Sequence, residues 1–327
     1  MAGSRPRPCC AVISRPTKRN SGPRSKTGAE PRSEQTSGNR TPGVRPDNPV
    51  TLTDQTSWQS HCQSWDSGSR SWIRHGLAGG IPPELTNLGS LRELDLGTND
   101  LTGPVPPELG RLESLESLDL GDNDLSGVIP PELTSLANLR QLGLRSNDLT
   151  GPIPSELGDL ASLESLYLGY NGLSGAIPPE LADLGKLRQL GLGSNNLAGP
   201  IPPELGNLAS LEHLDLVGNR FSGPIPPEIG NLVSLRELFL SSNNLISSIP
   251  PELGRLASLQ FLYLGYNDFS GSIPPELSNL GSLEVLNLVS SSLTGPIPPA
   301  LGSLGSLWQL DLRSNDLAGP IPPELVE

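Results

Sequence analysis

From residue 77 onward the apolar positions of this chain recur in a fixed frame of 24 residues, anchored by an asparagine. That asparagine stands at Asn99, Asn123, Asn147, Asn171, Asn195, Asn219, Asn243, Asn267 and Asn315, with Ser291 in the one remaining place, and no insertion breaks the step across ten units. Leucine occupies the positions eight, five and three before the anchor in every unit, as in Leu91, Leu94 and Leu96. Two after it comes Leu, or Phe in Phe221 and Phe269. Gly follows at plus four (Ser247 once), Ile or Val at plus six, Pro at plus seven and, in most units, Glu-Leu at plus nine and ten. The unit reads LxxLxLxxNxLxGxIPPELGxL.

Each part of the unit predicts an element. The LxxLxLxx stretch alternates as a short strand, with Leu94 and Leu96 inward and Glu93, Asp95 and Gly97 outward. The Asn ends the strand at a turn, where its amide can bond backbone groups, and a stack of such residues forms an internal hydrogen-bond ladder. Gly103 and its equivalents permit a tight bend, and the Pro-Pro pair leads into a short helical turn beginning near Glu108. One unit buries almost nothing by itself, so neighbours must stack and share one leucine core. The fold class that follows is an α/β repeat. It is a right-handed solenoid with a parallel concave sheet and short helical (3-10) turns on the convex side.

This unit, with its GxIP signature, resembles the plant-type leucine-rich repeat, as in ectodomains of plant receptor-like kinases and in polygalacturonase-inhibiting proteins. The resemblance covers residues 76 to 327. It implies an extracellular or cell-surface, non-catalytic protein that recognises its ligand on the concave face. Such proteins usually begin with a cap holding paired cysteines around a Trp. Here Trp58, His61, Cys62, Trp65 and Trp72 offer a single cysteine, and the frame puts Arg70 and Trp72 at core leucine positions. The expected organisation is therefore a disordered basic tail over residues 1–57, a degenerate N-terminal cap over 58–80 and ten repeats over 81–327. The last coil has no polar terminal cap, which predicts self-association or fraying there.

Composition sharpens the division. Of 60 leucines, 59 lie from Leu77 onward. Residues 1–75 carry 12 Lys+Arg against 5 Asp+Glu, a net of +7; the remainder carries 10 against 30, a net of −20, and the two sum to the −13 of the whole chain. Binding of phosphate backbones draws on clustered Lys and Arg, so nucleic acid is a poor partner for the acidic body. An anionic membrane surface is disfavoured for the same reason. No apolar run nears the roughly 18 residues of a membrane span, and Cys9–Ile13 is too short for a signal-peptide core.

Catalytic and cofactor chemistry is not suggested by any motif. Cys9, Cys10 and Cys62 form no CxxC pair, and His61, His75 and His213 are the only histidines. There is no phosphate loop, no HExxH and no acid pair outside the repeat pattern, so no metal or cofactor is expected. The glutamate column from Glu84 to Glu324 reads as first-turn residues that keep the convex edge soluble. Seven before the anchor, Arg92, Glu116, Arg140, Glu164, Arg188, Glu212 and Arg236 alternate in sign, which reads as a surface ion-pair ladder. The alternation ends at Gln260, followed by Glu284 and Trp308.

Aromatic residues gather where the ladder ends. Exposed aromatics on a rigid sheet are the material of binding hot spots. The expected ligand-binding residues are therefore Phe239, Phe261, Tyr263, Tyr266 and Trp308, with His213, Val285 and Val289 at the margin. Tyr167 and Tyr170 form a secondary pair 96 residues before Tyr263 and Tyr266, within a duplicated LYLGYN segment. The acidic positions Glu93, Asp95, Asp119 and Asp122 read as a solvated face. The functional expectation is a recognition scaffold for a protein, peptide or glycan. A secreted inhibitor of a cell-wall hydrolase is the alternative, with that enzyme as partner.

Overall fold

A computed structural model describes residues 50–51, 69–71 and 76–326. Most of the tail and cap expected over residues 1–80, with Trp58, Cys62, Trp65, Trp72 and His75, lies outside the described residues. In every unit the segment around the second of the three leucines before the anchor forms a three-residue strand, from Glu93–Asp95 to Gln309–Asp311. Joined by Ser69–Ser71, these build an 11-stranded parallel sheet, the concave face of the solenoid. The register advances one unit per strand: Leu94 lies opposite Leu118, and Leu118 opposite Leu142. Arg70 sits opposite Leu94, the place the 24-residue frame gives it.

A second parallel sheet goes beyond the sequence reading. It is built from the segment that follows each anchor, such as Asp100–Pro104 and Asp124–Gly127. With Val50–Thr51 and Leu77–Gly79 it runs to ten strands. Its alternation is brief: Leu101 points into the core, Thr102 points out, and Gly103 at φ +80° bends the chain away. The convex side carries five-residue 3-10 turns such as Pro107–Arg111, entered through Pro106 at φ −67°, ψ 127° and holding Glu108 in the first turn. These turns pack tightly. A Cβ on Gly206 would overlap the Glu228 carbonyl of the next turn, so only glycine allows that approach.

Between the sheets and the turns lies one continuous leucine core. Leu115, Leu118, Leu120, Leu125 and Leu133 of a single stretch are fully buried. Each such side chain contributes about 1.5–3 kcal/mol by leaving water, and every unit repeats the set. The anchor asparagines tie neighbouring units together. Asn123 Nδ2 donates to the carbonyls of Leu120 and Gly121 in its own turn, and to that of Leu96 in the unit before at 3.1 Å. Its Oδ1 accepts from the Leu101 N–H of that same preceding unit at 3.0 Å. The pattern recurs at Asn147, Asn195, Asn219, Asn243 and Asn267.

Ser291 interrupts this ladder. Its hydroxyl donates to the Leu264 and Val289 carbonyls at 3.3 Å each, and it has no amide oxygen for the Phe269 N–H of the preceding unit. The second sheet breaks at the same place: it ends at Asp268–Phe269, and Thr294–Gly295 pairs separately with Asp316–Leu317. Beyond it the last coil is loosely covered. Leu307, Leu310, Leu312, Leu317 and Leu325 are only partly buried, and Ile321 and Val326 are exposed.

Three stability outcomes follow. Asn195→Ala leaves the buried Leu173 N–H without its partner, at about 1–3 kcal/mol, and strips the Leu168 and Leu192 carbonyls of one of their two amide donors, so it should lower the urea midpoint. Ser291→Asn should raise it by the equivalent of about 0.5–2 kcal/mol, as repairs toward a repeat consensus do. Hydrogen exchange should also find the weakest protection among the repeats from residue 300 onward, where apolar cover is thinnest.

Candidate functional site

The side chains that leave the first sheet on its concave face form columns fixed by the strand register. One column runs His213, Glu237, Phe261, Val285, Gln309; the next runs Asp215, Phe239, Tyr263, Asn287, Asp311. Strands about 4.8 Å apart bring the aromatic members of both columns into contact. The His213 and Phe239 rings meet edge to face, centroids 5.3 Å apart at 80°. Phe239 and Tyr263 do the same at 5.1 Å and 79°. The His213 Nδ1 lies 2.7 Å from the Glu237 carboxylate, which fixes the ring at the start of the run. All three rings are half-buried because each covers part of the next. Edge-to-face pairs add about 0.5–1.5 kcal/mol beyond burial, so this surface is rigid before any ligand arrives.

The remaining expected residues separate. Phe261 is half-buried within the same patch. Trp308 is the most exposed aromatic among the described residues at 63%, its indole N–H donating to Glu284 at 3.4 Å at the rim of the sheet. Val285 is a correction: it is fully buried, closed off by the larger Phe261 and Gln309 in the flanking strands, and cannot touch a ligand. Val289, at 7% exposure, is buried as well. Tyr266 is exposed, but it stands on the turn after the strand at φ +57°, not on the concave sheet. Tyr170 occupies the equivalent turn, while Tyr167 lies on the sheet against Gly191.

Charge organises the surroundings. Arg92 pairs with Glu116 at 2.8 Å, Arg140 bridges Glu116 and Glu164, and Glu212 joins Arg188 to Arg236. These side chains are largely exposed, and each pair is worth about 0–1 kcal/mol. The ladder therefore lines the edge of the sheet without dominating stability. The aspartates of the second column serve turns: Asp95 accepts from the Gly97 N–H, Asp119 from Gly121 and Asp215 from Val217. Burial holds the Asp119 and Asp215 carboxyls above the ordinary carboxylate range despite these bonds. At the far end the Arg313 guanidinium does the reverse, bonding Asp311 and lowering its pKa. The sequence reading missed Glu237, Glu284 and Asp215. The first two stand in the same columns as the aromatics they bond, and that shared column was the signal available.

Stacked coils, an asparagine ladder and an open face of side chains in register define a leucine-rich repeat solenoid. The family model for a leucine-rich repeat region matches residues 130–238 and 203–326, and a second leucine-rich repeat model matches residues 89–149. The chain belongs to the leucine-rich repeat family. None of the curated proteins matches it. Among solved structures it is similar to the Arabidopsis receptor kinase HAESA in complex with the peptide hormone IDA and the co-receptor SERK1, at 38% identity and TM-score 0.75, covering 79% of this chain and 44% of that one. It is similar to the plant peptide hormone receptor RGFR1 in complex with RGF2, at 35% identity and TM-score 0.71, covering 79% and 47%. It is also similar to a plant ice-binding protein, at 30% identity and TM-score 0.61, covering 74% and 78%. The chain spans about half the length of the receptor structures it matches.

Asp215→Asn tests the burial argument. The amide keeps the oxygen that accepts from Val217, as Asn287 does from Val289. Because the folded-state pKa of Asp215 is raised, its ionised form costs stability above that pKa, and the cost vanishes below the ordinary carboxylate value. The variant should melt higher than the parent at neutral pH and show no gain near about pH 3.

Proposed function

We propose that this chain is a non-catalytic recognition scaffold, a receptor-ectodomain-like module that binds an extended peptide across the concave sheet at Phe239, Phe261 and Tyr263. The observation that carries the reading is the stacked run His213–Phe239–Tyr263, a pre-organised aromatic strip crossing successive strands. Rigid aromatics lose little freedom on binding, and such anchors dominate affinity. His213 borders the strip at one end, and Trp308 stands exposed at the rim on the C-terminal side. The peptide complexes of HAESA and RGFR1 support a peptide as the ligand class. A secreted inhibitor of a cell-wall hydrolase is the second reading, favoured by the ladder of paired charges that borders the sheet as a polar rim; its partner would be the enzyme. Self-association through the thinly covered last coil accompanies either reading.

A random 12-residue peptide phage library panned on the full chain, followed by affinity measurement of the selected peptides, tests the proposal. The double variant Phe239→Ala, Tyr263→Ala should bind selected peptides at least tenfold more weakly, since a hot spot costs about 2 kcal/mol or more on truncation. Its melting temperature should fall modestly, through loss of the two edge-to-face contacts, while the fold persists because both rings lie outside the leucine core. Substituting Asp95 and Asp119 by Asn should change affinity little. Peptides that bind the double variant as well as the parent would overturn the reading.

A further inference from the structure

The residue just before each anchor position stands in the left-handed region of backbone space in all ten units. Thr98, Asp122, Ser146, Tyr170, Ser194, Ser242, Tyr266, Ser290 and Ser314 have φ between 51° and 59°, and Gly218 has φ +66°. Small polar residues and glycine are tolerated there, but a bulky side chain at positive φ is an outlier. Tyr170 and Tyr266 are the two that carry a large side chain there, each at φ +57° and each 58% exposed, so neither ring is held there by packing. Because the left-handed turn recurs in every unit, what sets these two positions apart is the exposed ring each carries, and not the backbone.

The edge between the two rings is unlike the edge on either side. Along it the residue just after each anchor reads Gly172, Asn196, Arg220 and Asn244, whereas the same column holds Asp100, Asp124 and Asp148 before Tyr170 and Asp268 after Tyr266. In a body with a net charge of −20, the acid-free interval of that column coincides with the interval between the tyrosines. Arg220 is engaged by Asn196 at 3.2 Å. Between the rings the turn column presents Ser194, Gly218 and Ser242, with Ser241 beside them, and these serine hydroxyls have no partner among the described residues. The backbone beneath is already occupied: the Ser194 N–H donates to Val217, that of Gly218 to Ser241 and that of Ser242 to Gly265. Four strand spacings separate the rings by about 19 Å.

We infer that this lateral edge is a second binding site, distinct from the concave strip, for an extended neutral carbohydrate chain that stacks on Tyr170 and Tyr266 and hydrogen-bonds the serine hydroxyls between them. An exposed ring offers a flat apolar face to the C–H face of a pyranose, and free hydroxyls match a ligand that is itself dense in hydroxyls. A protein partner would call for a desolvated anchor pocket, and an acidic polysaccharide for clustered cations; the edge has neither.

Isothermal titration of the full chain with cellohexaose, and in parallel with hexagalacturonic acid, tests this. The parent should bind cellohexaose and bind the acidic oligomer at least tenfold more weakly. The double variant Tyr170→Gly, Tyr266→Gly should lose cellohexaose binding while its melting temperature holds or rises, because glycine relieves the left-handed backbone. Tyr170→Phe with Tyr266→Phe should retain most of the binding. Phe239→Ala with Tyr263→Ala should leave it unchanged, which separates this site from the peptide proposal. Absence of cellohexaose binding by the parent, equal binding by the double glycine variant, or preference for the acidic oligomer would each overturn the inference.

Discussion

Every other feature of this molecule depends on the amide of one residue per turn of the solenoid. A strand of three residues cannot hold its own register, and a five-residue 3-10 turn cannot hold its own shape. Asn123 and its equivalents solve both by bonding the backbone of two successive units at once. The bonds are buried, where an unmade partner is most costly, so a slip by one unit or by one residue is penalised at every step. Ser291 supplies the comparison within the same chain: where the amide is absent, the second sheet is interrupted.

That rigidity is what gives the concave side chains meaning. Because Leu238 and Leu262 are locked in register, Phe239 and Tyr263 arrive on adjacent strands at a spacing that lets their rings meet edge to face. The core is nearly invariant from unit to unit, and the outward columns vary freely without touching it. Recognition can thus change by substitution of single outward residues, with the energetic consequences confined to neighbours in the same or the adjacent column. The Arg and Glu ladder does the same for solubility along the sheet edge.

The 24-residue frame made most of the fold legible in the sequence: the parallel first sheet, the asparagine ladder, the proline-led turns and even the placement of Arg70 opposite a leucine. The second sheet was not legible, because its alternation lasts only from Leu101 to Gly103 and its outward residues are small. The candidate site was legible in part. Phe239, Phe261 and Tyr263 do share one surface, since column position alone decides that. Val285 carries the same outward position and is nevertheless buried, because its exposure is set by the size of residues 24 positions away on either side. Tyr266 likewise looked like a strand-end neighbour of Tyr263, and only the left-handed backbone at that turn puts it on a different face.

Covalent carbene labelling of exposed side chains, with and without a saturating selected peptide, tests the central claim most directly. The account predicts that labelling falls at Phe239, Phe261 and Tyr263 on adjacent strands and is unchanged at Glu93, Asp95 and Asp119. Protection confined to the acidic strands Glu93–Asp95 and Ser117–Asp119, with the aromatic strip labelled as in the free protein, would contradict it.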